Sequence, residues 1–271
     1  AEIERLERLF SSYIPESDIS RVSAKAGVEP VHVAPEVMEA IKTAIRVSEL
    51  SEGAFDPTVG ALAKLWGYSG EKGELPSKRE ISKALPLIDY KKIELDEGAG
   101  TIRLTGKGMV LNLGGVAKGY IVKKAFEALE KEGVERAIIR AGGDMAVFGA
   151  DADTPFIIGI QHPRKKKLLG EAHVYDGAVS TSGDYERFFM KEGKRYHHIL
   201  DPKTGWPAKG TRSVTIIAKD HTLADGLSTA VFVLGPEKGM ALVESLESVE
   251  GVIVDENGVV TRSSGFKGKI F

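Results

Sequence analysis

Residues 110–120 read VLNLGGVAKGY, and this stretch constrains the fold more than any other. The apolar segment 109–113 has the composition of a strand, and Gly114-Gly115 turns the chain. An amphipathic helix follows, with apolar residues at Ile121, Ala125 and Ala128 and at Val122, Phe126 and Leu129. Strand, glycine turn and helix N-terminus point several backbone N–H groups at one place, which suits an anion. Without Cβ atoms, Gly114 and Gly115 let a phosphate come close, and Lys118 adds a positive charge. The same pattern also describes an ordinary βα turn. It matches neither GxxxxGK[ST] nor GxGxxG, so two nucleotide-binding families lose support.

At 271 residues the chain can bury a large core, as one domain spanning 1–271 or as two lobes. A net charge of −2 gives no basic face for nucleic acid. The one basic run, Arg164-Lys165-Lys166-Lys167, reads as a solvated loop. With no cysteine, disulfides and thiolate metal sites are excluded. No apolar window is long enough to span a bilayer, and the opening AEIERLERLF is not a signal peptide.

Helices are expected over 1–12, over 35–52 and from Pro57 onward, the last with Asp56 as N-cap and a stop at Gly67. Residues 70–78 read as a surface loop. Strand signals follow at 92–95, 101–104, 137–140, 145–148, 156–160, 171–175, 178–182, 196–200 and 213–218. Helices over 222–234 and 237–246 and a hairpin over 252–261 close the chain. There is no clean βαβα alternation. The expected class is α+β, with mixed, largely antiparallel sheets and packed helices.

Asp225 and Thr229 lie four apart, on one polar face of the 222–234 helix. A carboxylate and a hydroxyl are hard oxygen ligands of the kind Mg²⁺ takes. They equally suit a helix terminus and its packing. His197 and His198 precede an Asp201-Pro202 turn; as strand neighbours they point to opposite faces, so at most one joins a given site. Either is a candidate general base or a plain strand residue. Ser180-Thr181-Ser182-Gly183 offers hydroxyls for a phosphate or sugar, or a hydrogen-bonded turn, and there is no GxSxG elbow.

The ordered combination is more specific than any part. GAFDPT at 53–58, LNLGGVAKGY at 111–120, GGD at 142–144, STSG at 180–183, HILDP at 198–202 with Thr204-Gly205, and ADGLST at 224–229 together resemble the ApbE family of flavin transferases. The match runs from about Ser11 to the last helix. The resemblance implies a T-fold-like architecture, with FAD held between two lobes if two are present. It also implies Mg²⁺-dependent transfer of FMN from FAD to a threonine or serine hydroxyl of an acceptor flavoprotein, with release of AMP.

On that resemblance, Asp225 and Thr229 match the metal ligands, joined by a main-chain carbonyl in the Gly115 to Ala117 turn. Ala54, Phe55, Asp56, Asn112, Lys118, Gly142, Gly143 and Asp144 match flavin-nucleotide contacts. Tyr13 falls where the family places an aromatic that stacks on the isoalloxazine ring. His198 matches the base that takes the acceptor proton, with Leu200 in the same strand by the cofactor. The family is typically exported to the periplasm or the outer face of the bacterial cytoplasmic membrane, and membrane association is expected only through an N-terminal anchor, if the protein has one. Relatives usually open on a strand carrying Met-Gly-Thr that borders the cofactor. This sequence starts after it, and a weaker hold on the flavin is the expectation that follows.

Two alternatives stay open. A FAD pyrophosphohydrolase would use the same residues with water in place of threonine, giving FMN and AMP. A non-catalytic flavin-binding protein would need the nucleotide contacts but not Asp225, Thr229 and His198 together.

Overall fold

The computed structural model describes residues 2–68, 75–150 and 153–271. The chain forms two compact units, Ala1–Ala117 with Arg187–Ala208, and Lys118–Glu186 with Lys209–Phe271. Residues 70–74 of the expected surface loop lie outside the described residues.

The first unit is mainly helical. Its opening helix, Glu2–Phe10, buries Leu6 and Phe10, and Pro35–Leu50 buries an apolar stripe from Val37 to Val47. Proline sits in the first turn of the second, where its missing N–H costs nothing. A three-stranded antiparallel sheet joins Val31–His32, Thr101–Leu104 and Ile93–Asp96. Leu62, Trp66, Ile81, Ala84 and Leu200 form a buried cluster, walled by Phe189, Tyr196 and Trp206. The Trp66 indole N–H is satisfied at 2.9 Å by the Gly205 carbonyl. An apolar body with one polar edge can be buried only with such a partner.

Among the expectations that fail in this unit are the helix cap at Asp56 and the strand at 109–113. The helix after Asp56 runs Gly60–Leu65 with Val59 at its cap, and Trp66 ends it. Asp56 instead ties a turn: Oδ1 accepts from the Thr58 N–H and hydroxyl, at 2.8 and 2.6 Å, and Oδ2 from the Tyr90 N–H at 2.9 Å. An Asp-Pro pair suits either arrangement locally, and the distant Tyr90 amide decides it. Segment 109–113 is extended but is no strand. It makes one isolated parallel bridge, Val59 to Val110, and its amides go elsewhere: Leu111 N–H to Ser23 Oγ and Asn112 N–H to the Pro57 carbonyl.

The second unit is built on a six-stranded antiparallel sheet, in the order Val260–Arg262, Val249–Asp255, Thr211–Ala218, Gly177–Gly183, Asp144–Phe148, Ala137–Ala141. A second antiparallel sheet of Gly268–Ile270, Leu168–Val174 and Phe156–Gln161 accompanies it. Val147, Val179, Val252 and Val254 pack with Ile158, Ile160, Leu169, Ala172 and Val174. Along Gly177–Gly183, Val179 faces that core, while Ser180 and Ser182 face the helix His221–Leu234, Ser182 Oγ lying 2.8 Å from Ser228 Oγ. Period-two alternation puts valine and serines on opposite faces. The fold is therefore the α+β, largely antiparallel arrangement that the pattern of elements implies.

Candidate functional site

Helix His221–Leu234 is capped by Asp220, whose Oδ1 accepts the Leu223 N–H at 2.9 Å. Apolar residues alone do not explain its burial, because Thr222, Asp225, Gly226 and Ser228 are buried as well. Asp225 is 2% exposed, not on an open polar face. Its Oδ2 accepts the Gly119 N–H at 2.9 Å, and its Oδ1 lies 3.4 Å from Lys118 Nζ.

The close approach depends on Gly119. A Cβ there would run into the His221 carbonyl and lie 2.8 Å from the Asp225 Cβ. Only glycine lets helix Ala117–Lys131 bring its first-turn amide to this carboxylate. Lys118, one residue earlier, reaches Asp144 Oδ2 as well as Asp225. Asp144 opens the strand after the Gly142-Gly143 hairpin turn, and its Oδ1 accepts the Ser180 hydroxyl. Gly142 turns the chain there with φ +64°.

Electrostatics follow from this packing. Burial pushes the Asp225 carboxyl up, and Asp144 adds to the rise; Lys118 and the Gly119 amide oppose it, leaving the group at about 6. Burial works against the Lys118 charge, but Asp225 and Asp144 outweigh it and hold the ammonium more firmly protonated than usual.

The donors suit a small hard cation. Asp144 and Asp225 share one ammonium, so when both are ionised they leave a net negative charge in a buried place. Thr229 follows Asp225 one turn along the same helix, its hydroxyl 3.2 Å from Ser182 Oγ. Among the described residues no three His, Cys, Asp or Glu side chains form a metal cage. A cation at Asp225 would therefore be completed by hydroxyl, main-chain and ligand oxygens, as Mg²⁺ sites commonly are.

The other expected residues lie in the first unit. Ala54, Phe55 and Asp56 are buried, and burial raises the Asp56 carboxyl above its usual range against the three hydrogen bonds it accepts. Asn112 Oδ1 accepts the Gly114 N–H at 2.8 Å, which shapes the turn leading through Gly115 to Ala117. Tyr13 is 61% exposed.

The two histidines separate clearly. Strand Lys194–His197 ends at His197, which is buried, with Nε2 3.0 Å from the Ala208 carbonyl. His198 and Leu200 both lie beyond that strand, not within it, and Leu200 bridges Pro207 and joins the buried cluster around Trp66. His198 Nδ1 is 3.2 Å from the Arg187 carbonyl, which also accepts the His198 N–H at 3.0 Å. A carbonyl only accepts, so Nδ1 is the protonated nitrogen of the neutral ring and Nε2 carries the lone pair. The Tyr68 ring stands edge-on at 6.5 Å.

The model of the family described as "ApbE family" matches residues 1–253. The chain belongs to the ApbE family. It is 33% identical to the FAD:protein FMN transferase of Treponema pallidum, covering 99% of this chain and 79% of that protein. It is 34% identical to one from Klebsiella pneumoniae, over 97% of this chain and 82% of that protein. Among solved structures, the ApbE protein of Thermotoga maritima superposes with a TM-score of 0.90 at 38% identity, covering 97% of this chain and 86% of that one. The flavin transferase ApbE of Vibrio cholerae gives 0.86 at 30% identity, covering 97% and 87%.

Within this ApbE chain, sequence reasoning did not single out Gly119 or Ser228. Gly119 stands inside the LNLGGVAKGY motif and Ser228 inside ADGLST, yet only the packing of two helices and a strand reveals what they touch. The basic run is the exposed loop that the sequence implies, between strands Phe156–Gln161 and Leu168–Val174. Arg164 makes a paired contact with the buried Asp184 carboxylate at 2.7 and 2.5 Å, while Lys165, Lys166 and Lys167 are exposed.

Proposed function

We propose that this protein transfers the FMN moiety of FAD to a threonine or serine hydroxyl of an acceptor flavoprotein, releases AMP and requires Mg²⁺. The observation that carries the reading is the buried Asp225 carboxylate, set between a helix N-terminal amide and Lys118 and on the same helix as the Thr229 hydroxyl. The names of its relatives support a flavin transferase.

Phosphoryl transfer demands positioning and neutralisation of charge more than covalent help from the protein. A bound Mg²⁺ would supply neutralisation of the pyrophosphate charge. Asp225 and Thr229 would hold it, with a main-chain carbonyl of the Gly115 to Ala117 turn. Lys118 offers a second positive charge, and Asp144 holds that ammonium in place.

His198 is the assigned base. Its Nε2 lone pair, set by the Arg187 carbonyl on the far side of the ring, takes the proton of the acceptor hydroxyl. The hydroxyl oxygen then bonds to the FMN phosphorus, the pyrophosphate P–O bond breaks, and AMP leaves with the bridging oxygen. The proposed place of action is the periplasm or the outer face of the cytoplasmic membrane.

The test is one incubation with FAD, Mg²⁺ and a threonine-containing acceptor domain, followed by intact mass and AMP release, with an EDTA control. An acceptor gain of one FMN that EDTA abolishes is the expected result. AMP and free FMN with no labelled acceptor would make the protein a pyrophosphohydrolase, and no AMP at all would leave a flavin binder.

A further inference from the structure

Behind Thr229 the second unit holds a row of hydroxyls whose protons can be assigned by counting. Ser228 Oγ donates to the Asp225 carbonyl at 2.8 Å, and a carbonyl can only accept. A hydroxyl has a single proton, so Ser228 has none left for its next neighbour. Ser182 Oγ, 2.8 Å from Ser228 Oγ, must therefore be the donor in that contact. Its proton is then spent in turn. The 3.2 Å contact between Ser182 Oγ and Thr229 Oγ1 can be made only by the Thr229 proton.

Ser180 does not disturb this order. It has one proton, the Asp144 carboxylate takes it, and its 3.4 Å separation from Ser228 Oγ is long by comparison. The row is directed from end to end, from Thr229 through Ser182 and Ser228 to the main chain of Asp225. The order begins at one candidate metal ligand and ends at the backbone of the other.

We infer that Ser182 and Ser228 are positioning residues that turn the Thr229 hydroxyl proton inward, leaving the Thr229 oxygen lone pairs to face a divalent cation. A hydroxyl that aimed its proton at the cation would repel it. Removing Ser182 deletes the acceptor for the Thr229 proton. Removing Ser228 frees the Ser182 proton to turn towards Thr229 Oγ1, which reverses the order. Outer partners that orient a ligand commonly change metal affinity by about 10–100-fold.

The inference rests on reading Asp225 and Thr229 as metal ligands, and one experiment separates the two. Mg²⁺ alone is titrated by isothermal calorimetry into the wild-type protein and its Asp225→Asn, Ser182→Ala, Ser228→Ala and Ser182→Thr variants, with thermal melts of each. Wild type is expected to bind and Asp225→Asn not to. Ser182→Ala and Ser228→Ala should bind about tenfold more weakly with little change in melting temperature. Ser182→Thr, which keeps the hydroxyl, should return to within about twofold of wild type. No binding by wild type would remove the metal reading and this inference with it. Wild-type affinity in both alanine variants, with Asp225→Asn silent, would overturn the hydroxyl order alone. Weakened binding that Ser182→Thr fails to restore, with melting temperatures collapsed, would assign the serines to packing and overturn it too.

Discussion

Lys118 Nζ lies 3.4 Å from Asp225 Oδ1 and touches Asp144 Oδ2, so one ammonium serves two carboxylates that are almost wholly buried. Lys118→Met removes that charge and leaves both acids facing each other. Breaking a buried pair costs about 3–5 kcal/mol when nothing reaches water. The Lys118 side chain is 50% exposed, so solvent screening reduces the loss to about 1–2 kcal/mol. Urea denaturation of the metal-free protein should show that shift in midpoint with an unchanged slope. An unaltered midpoint would mean that the ammonium is not what stabilises these acids.

Asp225→Asn keeps the volume of the side chain and an oxygen for the Gly119 N–H, but not the charge. AMP release with saturating Mg²⁺ is expected to fall by about a thousandfold, of the order seen when a single electrostatic contact to a transition state is lost. Circular dichroism should match the parent. Asp225→Ala is the poorer probe, because it strips a buried amide of its partner at a cost of about 1–3 kcal/mol. Wild-type turnover in the asparagine variant would remove Asp225 from the metal site.

The contrast between these variants shows what could be read from the sequence. Four-residue spacing put Asp225 and Thr229 on one face, and helix His221–Leu234 bears that out. The depth of that face could not be read, because the sheet strand carrying Ser180 and Ser182 covers it with hydroxyls, not with an apolar surface. Polar residues that satisfy one another look solvent-facing in a sequence. Similarly, the apolar run at 109–113 has strand composition, but its amides are taken by Ser23 and Pro57, which lie far away in the chain. Asp56 failed as a helix cap for the same reason, since Tyr90 lies 34 residues on.

His198→Gln retains polarity and bulk while removing a base. The reading of Nε2 as the proton acceptor predicts a fall in acceptor flavinylation of about 10²–10⁴-fold, with the FAD dissociation constant within about threefold of wild type. Flavin fluorescence titration and intact mass of the acceptor measure the two separately. Weakened FAD binding with unaltered transfer at saturation would make His198 a binding residue.

His221 supplies a pH test independent of catalysis. Its ring is buried, 5.5 Å from Phe126, and its Nε2 has no hydrogen-bond partner among the described residues. Burial lowers its pKa below 6.5; Asp220 opposes this, Lys123 adds to it and Glu127 opposes it. The unfolded chain therefore binds a proton that the folded chain resists, and stability rises with pH across the window ending near 6.5. This contribution is complete above 6.5 and is lost as pH falls towards the folded value. Asp225, with its carboxyl raised to about 6, acts in the opposite sense, so parent and variant must be compared as a difference. His221→Gln removes only the histidine contribution. Between about pH 7.5 and pH 5.5 its melting temperature should fall less than the parent's, by a few degrees at most. Parallel curves would show that His221 takes up its proton as readily in the folded protein as in the unfolded chain.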